Sequence, residues 1–232
     1  MPMPMDGVAK FTGTLATRDV EDTMAERLAD GAIHVAGLMF AATAVIWLSY
    51  RVFSQSDITL ISTVMIYAVA LVAMLSMSAI YNVFHRPDAY GIWRRLDHAA
   101  IFLMIAGTYT PFAAMVLGGW VGASILAIVW TGAVLGILIK LCFREGFGRY
   151  TLPLYLALGW VVVIALPPLI ERMSTPGLWL LLGGGLIYSA GTLFYAWRSL
   201  PFQNAIWHAF VLAAAMCQFG AVLTDVAKLP GV

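Results

Sequence analysis

Seven runs of apolar residues succeed one another along the chain, at 32–50, 58–84, 97–117, 121–143, 152–170, 178–197 and 205–226. Each is near the roughly 20 residues that a helix needs to cross a bilayer. Charged, Gly- or Pro-containing segments separate them: Arg51 to Asp57, His85 to Leu96, Gly118-Gly119, Arg144 to Thr151, Glu171 to Gly177 and Arg198 to Gln203. The runs are too long and too uniformly apolar for the alternating strands of a barrel, so helices must satisfy the backbone inside the hydrocarbon. The pattern predicts an all-α integral membrane protein, a bundle of seven transmembrane helices. Residues 1–26 are polar, carry Pro2, Pro4 and Gly13, and read as a flexible tail ahead of a membrane domain at 27–232.

Composition supports this picture. Of 232 residues, 62% are hydrophobic and 11% charged, against about 25% charged in a soluble domain. A net charge of +1 leaves no basic face dense enough for a nucleic-acid partner. Membrane lipid is the expected partner, and the pattern leaves room for a homo-oligomer. Cys142 and Cys217 fall in or beside apolar runs and read as core residues rather than a disulfide framework. The N-terminus has no signal-peptide pattern.

Basic residues set the expected orientation. The tail and alternate loops hold Lys10, Arg18, Arg27, Arg86, Arg94, Arg95, Lys140, Arg144, Arg149 and Arg198, whereas the opposite side holds Arg51, Arg172 and Lys228. This ten-to-three bias predicts a cytoplasmic N-terminus and an outer C-terminus, in the cell membrane. Trp residues near several span ends fit interfacial belts.

This topology brings polar residues of four helices to one depth on the cytoplasmic side. They are Glu26, Asp30 and His34 from the first helix, Ser78 and Asn82 from the second, Asp97 and His98 from the third, and Asn204 and His208 from the seventh. Ser78 and Asn82 share a helix face, as do Asn204 and His208. Asp97 and His98 are adjacent and cannot both point squarely inward. Buried polar groups of this kind either pack helix on helix or form a functional cavity. Asp97 would be the natural charge partner of His208. Gly132 with Gly136, and the run Gly183-Gly184-Gly185, read as points of close helix packing. Pro111 predicts a kink in the third helix, with the neighbouring Thr hydroxyls covering freed backbone groups.

The residues then show a resemblance. Glu26-Arg27-Leu28-Ala29-Asp30 with His34, Ser78-Ala79-Ile80-Tyr81, Leu96-Asp97-His98, Gly107-Thr108-Tyr109-Thr110-Pro111-Phe112 and Ala205-Ile206-Trp207-His208 run in the order found in the hemolysin III family. That family is related to the progestin and adiponectin receptors and to alkaline ceramidases. The resemblance implies a seven-helix bundle with a zinc ion near the cytoplasmic side, held by one His ending the second helix and two on the seventh. It also implies a nearby Ser and Asp, and hydrolysis of lipid amides in some relatives. Carried over by position, the Ser is Ser78, the Asp is Asp97 and one metal ligand is His208.

The chain departs from that pattern at the other two ligand positions, which hold Asn82 and Asn204. A neutral amide is a poor exchange for imidazole at zinc. The expectation is therefore no cofactor, and a degenerate, metal-free polar cavity that binds a lipid or small ligand or regulates membrane state. The alternatives are a zinc-dependent lipid amide hydrolase, with Ser78 and Asp97 catalytic, and a pore or channel.

Overall fold

The computed structural model describes residues 23–84, 91–142 and 148–228, all in helices and short connections. The tail expected at 1–26 falls almost wholly outside these residues, as do His85 and Arg86. The chain enters α1 (Met24–Phe53) through a capping box, in which Thr23 accepts from the Glu26 N–H and the Glu26 carboxylate accepts from the Thr23 N–H. Asp57 caps α2 (Ile58–Ala79) by accepting from Thr59 and Leu60 N–H groups, and the helix then runs on as a π turn over Ile80–Phe84. α3 (Ile92–Pro111) passes through Pro111 into a second π turn, Phe112–Leu117. The Thr110 hydroxyl bonds the Ala106 carbonyl at 2.7 Å and accepts from the Trp130 indole.

Gly118 and Gly119, both at positive φ, make the tight turn into α4 (Gly119–Cys142). The fifth span breaks into α5 (Gly148–Gly159), a 3-10 stretch at Trp160–Ala165 and α6 (Leu166–Arg172). α7 (Thr175–Ala196) is capped by Ser174, and α8 (Gln203–Asp225) follows.

Seven helical segments are long and apolar enough to span a membrane, Met24–Phe53, Ile58–Phe84, Ile92–Leu117, Gly119–Cys142, Tyr150–Arg172, Thr175–Ala196 and Gln203–Asp225. They agree closely with the expected runs. α1 packs on both α2 and α8, α3 lies between α2 and α4, and α7 pairs along its length with α8. The fifth span touches its neighbours sparsely. Tyr67, Leu48, Leu71 and Phe102 are fully buried at the centre, whereas Trp120, Trp179, Leu193 and Ile164 stand outward at 70% exposure or more. Such an apolar exterior fits lipid and not water. Asp225 ties α8 to the start of α7 through the Ser174 N–H and hydroxyl, each at 3.0 Å.

Gly136 meets the Phe102 ring, and Gly132 meets Leu158, so this pair does mark close packing. Of the Gly183-Gly184-Gly185 run, only Gly184 does so, against Gln218 and Ala214 of α8; the other two face open space.

Candidate functional site

Asp30 and His34 are one turn apart on α1, so both face the same neighbour, and that neighbour is α8. His208 directs Nδ1 at Asp30 Oδ1, 2.6 Å away, while Asp30 Oδ2 lies 3.7 Å from His34 Nε2. The two imidazoles stand 4.5 Å apart between centroids. All three residues are buried, at 3%, 6% and 8% exposure, so the charge of Asp30 is held from water by its partners alone. His34 Nε2 has no hydrogen-bond partner among the described residues. The charge partner of His208 is thus Asp30, not Asp97 as the sequence suggested. The reason is packing: α1 lies directly against α8 at this level, whereas Asp97 is occupied on α2.

Asp97 faces the Ser78 side chain, with His34 and Arg94 near enough to act on its charge. Arg94 and Lys140 also lie near enough to His98 for their charges to act on it, and the His98 carbonyl accepts the Tyr155 hydroxyl at 2.7 Å. Asn82, on the π turn, donates back to the Ser78 carbonyl at 2.9 Å and approaches the Ser78 hydroxyl at 3.4 Å. Its amide therefore serves its own helix. Asn204 is half-buried one turn before His208. Glu26 is a clamp at the rim: beyond its capping role, its carboxylate accepts the Phe202 N–H at 2.8 Å and fixes the start of α1 to the start of α8.

Asp30, His34 and His208 offer ligand atoms that all lie within 4.8 Å of one another, a group able to hold a metal ion. The zinc set implied by position, with 82 and 204 as ligands, does not fit, because both are neutral amides, poor zinc donors beside imidazole, thiolate or carboxylate. The set assembled on α1 and α8 does fit: one carboxylate and two imidazoles are zinc donors, and three protein ligands leave a position for water or substrate. The metal-free expectation is not confirmed by this arrangement. Sequence reasoning named all three residues but missed their union; the four-residue spacing of Asp30 and His34 was the available signal.

Beside this polar level lies an apolar chamber among α3, the fifth span, α7 and α8, lined by residues that include Ile105, Phe112, Leu156, Leu182, Gly185 and Trp207. Tyr155, which reaches the His98 carbonyl, also lines it, whereas Asp30, His34, His208 and Asp97 are not among its lining residues. Tyr109 holds the outer wall: its hydroxyl donates to the Gly159 carbonyl at 2.6 Å and accepts the Val162 N–H at 2.7 Å, across the helix break.

Seven lipid-length helices with an apolar exterior define a multi-pass helical protein of the cell membrane. The chain belongs to the haemolysin-III related family, whose model matches residues 23–219. It is 36% identical to Hemolysin-3 of Bacillus cereus over 198 residues, which cover 85% of this chain and 90% of that protein. Identity to the Hemolysin-3 homolog of Bacillus subtilis (strain 168) is 35% over 209 residues, or 90% and 98% of the two chains. The human Monocyte to macrophage differentiation factor is 26% identical over 166 residues, 69% of this chain and 68% of its own.

Proposed function

We propose that this protein binds a membrane lipid or a similar long apolar ligand, with the apolar chain in the chamber and the polar head at the level of Asp97 and Asp30. The observation that carries this reading is the chamber itself, whose lining is almost wholly apolar and includes Tyr155 and Trp207. The sparse contacts of the fifth span offer a lateral entry from the bilayer. A cytoplasmic N-terminus, as the basic-residue bias predicts, would set the head-group end on the cytoplasmic side.

Gly185 supplies the test, because it lines the chamber and a Cβ there meets nothing within 4 Å. Gly185→Leu fills the chamber without a clash at its base. Cross-linking of a photoactivatable lipid to the chamber residues Leu156 and Leu182, mapped by mass spectrometry in nanodiscs, should fall several-fold in Gly185→Leu while its unfolding temperature stays unchanged. Equal cross-linking in both chains would sink the reading.

The Asp30–His34–His208 group favours a second reading, hydrolysis of a lipid amide. A bound zinc would polarise the amide carbonyl and acidify a water. Asp97, held by Ser78, would stand ready to take or return a proton, and the chamber would hold the acyl chain. Fatty-acid release from a lipid amide, abolished by Asp97→Asn, would support it; no release by the native chain would count against it.

A further inference from the structure

We propose that Asp30, His34 and His208 form a divalent-metal site, suited to zinc, in which α1 supplies the two ligands missing from positions 82 and 204. This does not rest on the lipid reading. The donor set is the first argument. Two imidazoles and one carboxylate select zinc-like ions over magnesium or calcium, which take oxygen ligands.

Geometry is the second. Zinc bonds of 2.0–2.2 Å place tetrahedral ligand atoms roughly 3.4 Å apart. One ligand atom from each of Asp30, His34 and His208 lies within 4.8 Å of the others, with Asp30 Oδ2 3.7 Å from His34 Nε2 and Oδ1 2.6 Å from His208 Nδ1, so small side-chain adjustments bring the three to that spacing. The third is the orphan. His34 Nε2 is buried and aimed at the cluster without a hydrogen-bond partner among the described residues, a cost that coordination removes.

Charge balance adds a fourth. The Asp30 carboxylate would neutralise part of a divalent ion's charge where dielectric screening is weak. Rigidity completes the case: the Glu26 carboxylate accepts the Phe202 N–H, four residues before Asp30 on α1 and six before His208 on α8, and ties the starts of the two helices together.

The full chain, purified and stripped with a chelator, is titrated with cobalt(II) and separately with zinc, and bound metal is measured by mass spectrometry. About one ion per chain is expected, with visible cobalt bands of a four-coordinate site. Asp30→Ala and His208→Ala should each lower affinity at least a hundredfold, more than loss of a supporting contact. Asn82→Ala and Asn204→Ala should retain the metal. His34→Cys and His208→Cys keep a ligating atom, and in either folded chain a thiolate-to-cobalt charge-transfer band should appear. A native chain that holds no more metal than His208→Ala overturns the proposal. So does metal retained in Asp30→Ala but lost in Asn82→Ala, or a folded His34→Cys chain with bound cobalt and no charge-transfer band.

Discussion

One absent methyl group sets how closely α3 and α4 approach. A Cβ on Gly136 would meet the ring of Phe102, which is 1% exposed and lies tilted against Tyr155 at 4.5 Å, so the ring would have to shift. Gly136→Ala should therefore cost about 1–3 kcal/mol, as overpacking does. Gly183→Ala, where a Cβ meets nothing within 4 Å, should be neutral or slightly stabilising. Thermal unfolding in one detergent compares them, and equal melting temperatures would refute the assignment. The Gly132–Gly136 spacing made this contact legible in the sequence, but the Gly183–Gly185 run looked equally good and only its middle residue packs. A glycine motif says that close approach is permitted; the partner helix decides where it happens. The same holds for the site. Asp30, His34 and His208 were each visible as polar residues in apolar runs, yet which carboxylate meets which imidazole depends on α1 lying against α8, a tertiary fact no local pattern encodes.

Between elements, the break in the fifth span was only partly legible. Pro167 and Pro168 leave the Val163 and Ile164 carbonyls without helical partners and so disturb the end of the 3-10 stretch, but its start at Gly159–Trp160 carries neither proline nor charge. The break is held from outside, by the Tyr109 hydroxyl bonding both the Gly159 carbonyl and the Val162 N–H. Tyr109→Phe removes both bonds and leaves two backbone groups unsatisfied, which should cost about 1–3 kcal/mol. Hydrogen exchange should locate that loss at residues 159–163, with faster exchange there and little change in α1 or α8. Unaltered exchange at 159–163 would mean that the break is intrinsic to the fifth span. The π turn at Ile80–Phe84 escaped the sequence for a similar reason, since Asn82 reads as an ordinary helical position until its amide is seen bonded to Ser78.

For the whole molecule, seven lengths of apolar sequence determine the class of fold because lipid admits so few alternatives, and here expectation and structure coincide. Orientation is a separate matter, predicted from the excess of basic residues on the loops at the start of α1, α3, α5 and α8, and it would decide which compartment feeds the proposed site. A cytoplasmic N-terminus would let Asp30, His34 and His208 take the proposed metal from the cytoplasm, while the proposed apolar ligand would enter the chamber from the bilayer. Exposed serines mark the two sides: Ser54 lies just past α1, and Ser199 lies between α7 and α8. In a chain carrying Cys142→Ala and Cys217→Ala, Ser54→Cys should react with a membrane-impermeant maleimide in intact cells. Ser199→Cys should react only after the membrane is opened. The reverse pattern would invert the protein, place the polar cluster at the outer face, and make extracellular metal and ligand the ones to test.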